Sequence, residues 1–306
     1  MIAIWWFLHC YGDRTWLGTI AIFSPRWIVL LPLFLLVPIA TVFNRRCFWI
    51  VIPVTIIAIF AIMGLCIPIG PSYTPKSSDL SVRVLTCNVH GQTLQPERLA
   101  AMIADAHPDI VLLQEWPAQY RRDVFGDGQW NVDQDGEHFM ATRFRIDLAQ
   151  RVQYWSAVRY TLVTPAGRIN LLNVHLGSPH IAMNAILHGI PGGKSDLAKN
   201  IIQRENEASA IRQIAGSISG PLIIAGDFNL SFDSPIFLDN FGNLPDAFDK
   251  NGFGFGWTYR VKWTSVRIDH ILTSGGWICR DCKVGPDIGS PHRPVIADFY
   301  LPAGQW

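Results

Sequence analysis

Charge is nearly missing from the first 70 residues of this 306-residue chain. The charged residues there are one acid and four arginines: Asp13, Arg14, Arg26, Arg45 and Arg46. Residues 71–306 hold the remaining 21 Lys and Arg and 23 Asp and Glu, a net charge of −2. This division predicts an apolar, lipid-facing N-terminal region, residues 1–70, followed by a soluble domain.

Two runs in this region contain no charge at all, residues 27–43 (17 residues) and 47–69 (23 residues). A helix needs about 20 apolar residues to cross a bilayer, so the runs predict two transmembrane helices joined by Asn44-Arg45-Arg46. The apolar stretches before residue 24 are either a partial third span or an interfacial segment. A buried helical core is the alternative, but a soluble core does not need two charge-free runs in succession.

The lack of a basic residue before the first apolar run argues against a cleaved signal peptide. We therefore expect an integral protein of the inner or plasma membrane, with the bilayer as its partner. The positive-inside rule places Arg45 and Arg46 in the cytoplasm and residues 71–306 outside it, whereas Arg14 and Arg26 argue weakly for the opposite orientation.

A second Cys pair to accompany Cys279-Arg280-Asp281-Cys282 is missing, which makes zinc improbable. The pair is either a small disulfide or two thiols, and the sequence does not decide between them. The soluble domain also lacks a net basic charge, which nucleic-acid enzymes usually have.

Residues 71–79 are rich in Pro, Ser and Gly and predict a linker, so the folded domain is expected to span residues 80–306. Alternating and β-branched runs predict strands near residues 81–89, 110–114, 139–142, 153–163, 169–175, 222–225, 267–273 and 294–300. Apolar spacing of three and four residues predicts helices from Pro96 and over residues 196–217. The mixture predicts an α/β sandwich in which sheets pack together under outer helices.

Several of these buried strands end in polar residues of the kind that bind metal and phosphate. They are Asn88, Glu115, His175, Asp227, Asn229, Asp269, His270 and His292. One such residue is usually a turn former, but five strands sharing the feature indicate a common cleft. Crowded carboxylates repel unless a cation neutralises them, and carboxylate and amide oxygens suit Mg²⁺, Mn²⁺ or Ca²⁺.

The motifs CNVH, LLQE, NVHL, IAGDFN, RIDHIL and SPHRPVIADF resemble, in order and spacing, the endonuclease/exonuclease/phosphatase superfamily. The resemblance covers about residues 80–302. Over this range the chain is similar to the deoxyribonucleases, abasic endonucleases and sphingomyelinases of that superfamily. The short apolar N-terminus resembles that of membrane-tethered bacterial members. The resemblance implies a four-layer α/β sandwich with two central mixed sheets, here preceded by transmembrane helices.

The resemblance also implies a role for each polar residue. Glu115 is the main Mg²⁺ ligand, with Mn²⁺ as an alternative ion, and Asn88 lies close to the metal. Asp227 orients or deprotonates the attacking water, and Asn229 and His175 bind the phosphate. Asp269 orients His292, which acts in acid–base chemistry or transition-state stabilisation.

Two positions depart from the family pattern. Pro291 stands where the residue before the last His is usually Asp, and proline offers neither a carboxylate nor an N–H. His90 stands where several nucleases of the family carry an acid. Three readings follow: Glu115 and waters hold the metal weakly, Asp287 or Asp298 substitutes, or activity is reduced or lost.

The sequence thus predicts a membrane-anchored, Mg²⁺-dependent hydrolase of phosphate esters, with a phosphodiester in nucleic acid or a phospholipid headgroup as substrate. The alternative is a catalytically weakened, membrane-anchored binding module of the same fold. Two local expectations remain: Glu137 is a surface acid rather than a partner of His175, and residues 177–194 form a loop.

Overall fold

A computed structural model describes residues 1–43, 46, 48–68, 73–126, 128–152 and 156–304. Some sequence predictions fall outside the described residues. They concern the link at Asn44 and Arg45, the start of the second charge-free run at Cys47, the end of the N-terminal region at residues 69–70, the linker start at residues 71–72, and the strand start at residues 153–155.

The N-terminal region folds into short helices: α1 (Ile2–Cys10), α2 (Trp16–Phe23), α3 (Leu31–Phe43) and α4 (Phe48–Ile56), which continues as a π-helical turn over Ile57–Ile62. The two expected transmembrane helices are therefore shorter than their charge-free runs. Within the described residues no single helix has the length and apolarity to cross a bilayer, although Trp16–Phe23 and Arg26–Val42, bent by 85°, meet that criterion as a pair.

Two mixed sheets form the centre of the folded domain. The strands of the first sheet, in spatial order, are β12 (Ile278–Val284), β13 (Val295–Leu301), β1 (Leu80–Asn88), β2 (Ile110–Gln114), β4 (His138–Thr142) and β3 (Asn131–Asp135). Those of the second are β11 (Asp269–Ser274), β8 (Leu222–Asp227), β7 (Gly167–His175), β6 (Ala157–Thr164) and β5 (Arg145–Arg151). Each sheet has one parallel pair, β1 with β2 and β7 with β8.

Most helices of the folded domain cover the outer faces of the sheets. Their bounds are α5 (Pro96–Ala106), α6 (Arg121–Phe125), α7 (His180–Leu187), α8 (Gly193–Ser217), α9 (Pro235–Phe241) and α10 (Ala247–Asn251), and a hairpin of β9 (Tyr259–Val261) and β10 (Thr264–Val266) completes the fold. Buried residues of α5 pack on the first sheet and those of α8 and α9 on the second, whereas Ala247 and Phe248 of α10 belong to the core between the sheets. This arrangement confirms the four-layer α/β sandwich.

The side-chain period of two along β1 shows how the layers form. Val82 and Val84 join the core between the sheets, whereas Leu85 and Cys87 face α5. Asn88 continues the inward series at the end of the strand. The same alternation in the other central strands brings their last polar residues to one edge of the space between the sheets.

The expected loop at residues 177–194 is wrong, because it contains α7. This helix packs Ala182, Met183 and Ile186 on the core but also exposes Ile181 and Leu187, so apolar residues lie on both of its faces and the sequence shows no clear amphipathic pattern. The sequence also does not predict strands β3, β5, β9, β10 and β12. β5 is mostly exposed along its length and carries no buried alternation from which a strand could be inferred.

Candidate active site

Strand pairing brings three of the predicted site residues side by side. His175 in β7 pairs with Asp227 in β8, and Asp227 pairs with Asp269 in β11. Asp227 and Asp269 are almost fully buried. Because all three follow the inward series of their strands, their side chains lie at the edge of the core between the sheets.

Asn88 joins this group to the first sheet. Its Nδ2 donates to Oε1 of Glu115 (2.9 Å) and to Oδ2 of Asp227 (3.0 Å), and lies 3.4 Å from Nε2 of His175. Its Oδ1 accepts the backbone N–H of His90 (2.9 Å). Asn88 therefore bridges two carboxylates as a donor, with its amide oxygen turned toward backbone.

The GDFN turn after β8 places Asn229 against Asp227. The backbone N–H of Asn229 donates to Oδ1 of Asp227 (2.9 Å), and Nδ2 donates to the carbonyl of Leu176 (2.8 Å). Asn229 has a φ of 49°, and Gly226 leaves no room for a Cβ, which would lie 1.9 Å from the carbonyl oxygen of Val174. Such strained backbone tends to occur at functional sites.

His292 is held by Asp269 and faces Asp227. Its Nδ1 lies 2.9 Å from Oδ2 of Asp269, and its Nε2 lies 3.7 Å from Oδ2 of Asp227. Burial alone would lower the pKa of His292, but the two carboxylates outweigh it and raise this pKa to about 9. The ring of Tyr259 packs edge-on against the imidazole at 5.0 Å between centroids. His292 is therefore fixed in one orientation beside Asp227.

Glu137 is a partner of His175, so the expectation of a plain surface acid is wrong. Oε1 of Glu137 lies 2.8 Å from Nδ1 of His175. Burial opposes protonation of His175, but this contact and the charge of Asp227 raise the pKa of the imidazole. The pairing joins β7 to the turn before β4, two elements 38 residues apart, and local sequence carries no signal for it.

Asp227, Asp269 and His292 each offer a ligand atom, and these atoms all lie within 4.8 Å of one another. Oδ1 of Asp269 is buried and has no hydrogen-bond partner among the described residues. Burial is the main reason that the pKa of Asp227 is raised, and Asp269 adds to it against the opposing charge of His292. An orphaned buried oxygen among crowded carboxylates fits the needs of a divalent cation.

Glu115 lies at the open side of the cluster, 3.7 Å from Nε2 of His175. Its backbone has a φ of 54°, so it departs from strand geometry where β2 ends. The structure thus brings together Asn88, Glu115, His175, Asp227, Asn229, Asp269 and His292. Of the polar residues at strand ends, only His270 turns away: its Nδ1 lies 2.7 Å from Oδ2 of Asp246, on the opposite face of β11.

A polar layer that the sequence analysis did not single out separates the site from the apolar core. Nε2 of Gln114 donates to Oδ1 of Asn173 (2.6 Å), and Nδ2 of Asn173 donates to the carbonyls of Leu113 (3.2 Å) and Phe139 (3.1 Å). Both side chains are fully buried. Because the bond between Gln114 and Asn173 joins β2 of one sheet to β7 of the other, the layer fixes the spacing of the two sheets just below the site, although Oε1 of Gln114 has no partner among the described residues.

The loop of residues 227–234 carries Asp227 and Asn229 and is held from behind by the N-terminal region. Arg26 makes a two-pronged contact with Asp233, each N–O distance being 2.8 Å. Burial alone would raise the pKa of Asp233, but Arg26 and the hydroxyl of Ser231 hold it below its ordinary value. Arg26 and Asp233 are both buried.

A cavity of about 570 Å³ opens next to the cluster, beside Pro291. Its lining is cationic because it includes Arg98, Arg260 and Arg293 against the single acid Asp287, and His90 and His180 also line it. Asp287 is bound to Arg293 at 2.8 Å, and Pro291 accepts the backbone N–H of Arg260 through its carbonyl (2.9 Å). The cavity therefore favours an anionic ligand.

Cys279 and Cys282 are free thiols, which answers the alternative left open by the sequence. Burial raises the pKa of the Cys279 thiol to about 12 and raises that of Cys282 as well. Neither is a reactive thiolate at neutral pH.

A model of the Endonuclease/Exonuclease/phosphatase family matches residues 85–292 of this chain. No curated protein gave a significant match. One similar solved structure is the endonuclease/exonuclease/phosphatase family protein from Bacteroides thetaiotaomicron (16% identity, TM-score 0.54, covering 73% of this chain and 96% of that one). Another is the endonuclease/exonuclease/phosphatase from Beutenbergia cavernae (16%, TM-score 0.51, 72% of each chain). D. rerio TDP2 complexed with single strand DNA product is also similar (16%, TM-score 0.54, 72% of this chain and 99% of that one). At these identities the likeness is one of fold.

Proposed function

Because this chain belongs to the endonuclease/exonuclease/phosphatase family, we propose that it is a membrane-anchored, divalent-metal-dependent phosphoesterase that cleaves phosphodiesters. Members of this family are typically hydrolases of phosphoester bonds. The observation that carries the proposal is the convergence of polar side chains from both sheets on Asp227. Phosphoryl transfer needs mainly positioning and electrostatic stabilisation, and this arrangement supplies both.

Each residue has a role that its contacts favour. Asp227 orients and deprotonates the attacking water, since a raised pKa makes a carboxylate a better base. His292, held protonated by Asp269, stabilises the charged phosphate and donates a proton to the leaving oxygen. His175, oriented by Glu137, binds the non-bridging phosphate oxygens. The amide of Asn229 donates to Leu176 and Asp227 in this structure, so it binds the phosphate as well only by exchanging one of these hydrogen bonds.

Glu115, with Asn88 beside it, would hold the Mg²⁺ or Mn²⁺ ion, and the group of Asp227, Asp269 and His292 is the other candidate set. Such an ion supplies positive charge that neutralises the phosphate and the leaving oxygen. Oxygen ligands favour Mg²⁺ over softer ions. The amide of Asn88 keeps Glu115 and Asp227 close together and so maintains the donor set.

Exposed apolar side chains of the N-terminal region support the proposed bilayer anchor. Large residues there are mostly exposed, for example Phe34 (73%), Val42 (76%) and Trp49 (82%). Contiguous exposed apolar surface marks a membrane or protein interface. A lipid-embedded anchor would cover these residues, and it would place the folded domain at the membrane surface.

The cationic cavity beside Pro291 supports a substrate with a negatively charged group next to the scissile phosphate. Both a nucleic-acid backbone and a phospholipid headgroup offer such a group. With a net charge of −2 over residues 71–306, local rather than overall charge would attract the substrate.

Pro291 favours a second candidate, a non-catalytic, membrane-anchored binding module. It occupies the position where a family carboxylate is expected, and its carbonyl is engaged by Arg260. A protein with a weakened metal site would still bind a phosphate ester through His175, Asn229 and the cationic cavity.

A turnover assay on the full-length chain separates the two candidates. The probe is bis-p-nitrophenyl phosphate, with Mg²⁺ in one sample and EDTA in the other, followed by a panel of DNA and phospholipid vesicles. We expect Mg²⁺-dependent release of p-nitrophenol that EDTA abolishes. Binding of DNA or vesicles without any turnover would favour the binding module.

A further inference from the structure

The loop of residues 227–234 has two faces with different contacts. Toward the cleft it presents the side chains of Asp227 and Asn229. Behind the cleft, the carbonyl of Asn229 and the side chains of Ser231, Asp233 and Ser234 point into a buried layer. The charged groups that bond to these atoms come from α8 and the N-terminal region, while Arg267 packs over the ring of Phe232 in the same loop.

Arg26 is the first of these partners. Besides its two contacts with Asp233, its Nη2 donates to Oγ of Ser231 (2.9 Å) and its Nη1 to the carbonyl of Ile62 (2.8 Å). A planar guanidinium held on both prongs fixes orientation as well as distance. Arg26 therefore fixes the loop relative to the N-terminal region, four to six residues after Asp227.

Asp13 is the second partner. It accepts from the hydroxyl of Ser234 and lies 3.6 Å from the guanidinium of Arg204. The same Nη1 of Arg204 donates to the carbonyl of Asn229 (3.1 Å). Asp13 is thus linked to the backbone carbonyl of Asn229 through the side chain of Arg204. Asp13, Arg204 and Asn229 are all buried.

We infer that Asp13 and Arg26 are positioning residues for the active-site loop of residues 227–234, so that the apolar N-terminal region forms part of the catalytic scaffold. The role of the loop in turnover rests on the proposed function. Asn229 has a left-handed backbone, which persists only where its surroundings hold it. A misplacement of about 1 Å at such a residue can lower a rate by about 100-fold.

The test uses the full-length variants Arg26→Met and Asp13→Asn, with bis-p-nitrophenyl phosphate and Mg²⁺. We expect kcat to fall by about 10- to 100-fold while KM changes by less than about threefold, because the loop orients the reacting groups more than it binds the probe. Arg26→Lys keeps the charge but loses the fork, so its kcat should lie between those of Arg26→Met and the wild type. If Arg26→Met does not fold, Arg26→Lys and Asp13→Asn decide the matter.

Two controls separate positioning from general stability. Arg14→Met removes a neighbouring arginine whose partner, Asp239, is exposed. Met102→Ala weakens the core under α5, on the other sheet. Both should keep the wild-type kcat when assayed well below their melting temperatures. Equal losses of kcat in Met102→Ala and Arg26→Met at matched stability would overturn the inference, as would a wild-type kcat in Asp13→Asn and Arg26→Lys.

Hydrogen exchange gives a readout that does not depend on turnover. Peptides that cover residues 226–234 should exchange at least about fivefold faster in Arg26→Met or Asp13→Asn, while β2 stays protected. If the wild type does not hydrolyse the probe, the proposed function fails and exchange alone decides the inference. Unchanged exchange of this loop in both variants would then refute it.

Discussion

The sandwich and the N-terminal region both bury charged side chains, but they use them in different ways. In the sandwich, the buried carboxylates of Asp227 and Asp269 crowd together beside His292, and Oδ1 of Asp269 has no hydrogen-bond partner among the described residues. In the N-terminal region, Nη1 and Nη2 of Arg26 donate to Asp233, Ser231 and the carbonyl of Ile62. Its Nε has no partner among the described residues. Crowded carboxylates without enough partners indicate where catalysis is expected. A buried ion pair such as that of Arg26 with Asp233 indicates where the fold is stabilised.

The two groups also lie on opposite faces of one loop. Mutations of residues that face the cleft should therefore change turnover more than the free energy of unfolding. Mutations of residues behind the loop, such as Arg26, should change the free energy of unfolding first.

Arg26→Met should have the largest effect on folding. It leaves the carboxylate of Asp233 buried without its partner, and breaking a buried pair in this way costs about 3–5 kcal/mol. The double variant Arg26→Met/Asp233→Met removes both charges and should regain most of the loss. Thermal unfolding followed by tryptophan fluorescence measures both variants. A double variant as unstable as the single one would show that the pair does not act as a unit.

His292→Ala and Asp227→Asn should each lower turnover by at least about 100-fold, equivalent to about 2.7 kcal/mol of transition-state stabilisation. The reason is the loss of the proton donor in one case and of the base in the other. The melting temperature of Asp227→Asn should stay at the wild-type value or rise, because the pKa of this buried carboxyl is raised and its charge repels that of Asp269. The melting temperature of His292→Ala should fall, because this variant leaves the buried carboxylate of Asp269 without its partner. Steady-state kinetics with Mg²⁺ and a thermal melt test both halves of the prediction. Near-normal turnover in either variant would remove the role assigned to that residue.

The sequence predicts the residues of the loop that face the cleft. It does not predict the contacts that the other side of the loop makes with the N-terminal region. Period-two alternation in the central strands placed Asn88, Asp227 and Asp269 on one face, because burial of the preceding residues fixes which way each strand end points. The contact between Arg26 and Asp233 joins residues 207 positions apart, and no local pattern encodes such a pairing. From the sequence alone, Arg26 resembles a charge that flanks a membrane span. Only the structure shows that it pairs with Asp233.

The same distinction explains the elements that were missed. Strand β5 is an edge strand with polar residues on both faces, so hydrophobic alternation is weak there. Glu137 resembled a surface acid because its partner, His175, belongs to the other sheet. The boundary at residues 71–79 and the bilayer anchor stay predictions.

Pro291→Asp should strengthen the binding of Mg²⁺ at the site. A carboxylate added next to His292 would raise the negative charge available to a cation. We expect the half-saturating Mg²⁺ concentration to fall by about fivefold, roughly 1 kcal/mol. Pro291→Ala is the matched control, because it removes the ring without adding charge. Identical Mg²⁺ titrations for all three proteins would mean that residue 291 has no part in metal binding.

Arg14→Met should have the smallest effect, and it sets the scale for the comparison. Arg14 is close in sequence to Asp13 and pairs with Asp239 on α9, but both side chains are largely exposed. Solvent screens such a pair, which contributes at most about 1 kcal/mol, and raising the salt concentration should reduce that contribution further. Thermal melts of Arg14→Met and the wild type at low and high salt measure it. A loss as large as that of Arg26→Met would show that any ion pair between the N-terminal region and α9 stabilises the loop, and burial would then not be what distinguishes the two arginines.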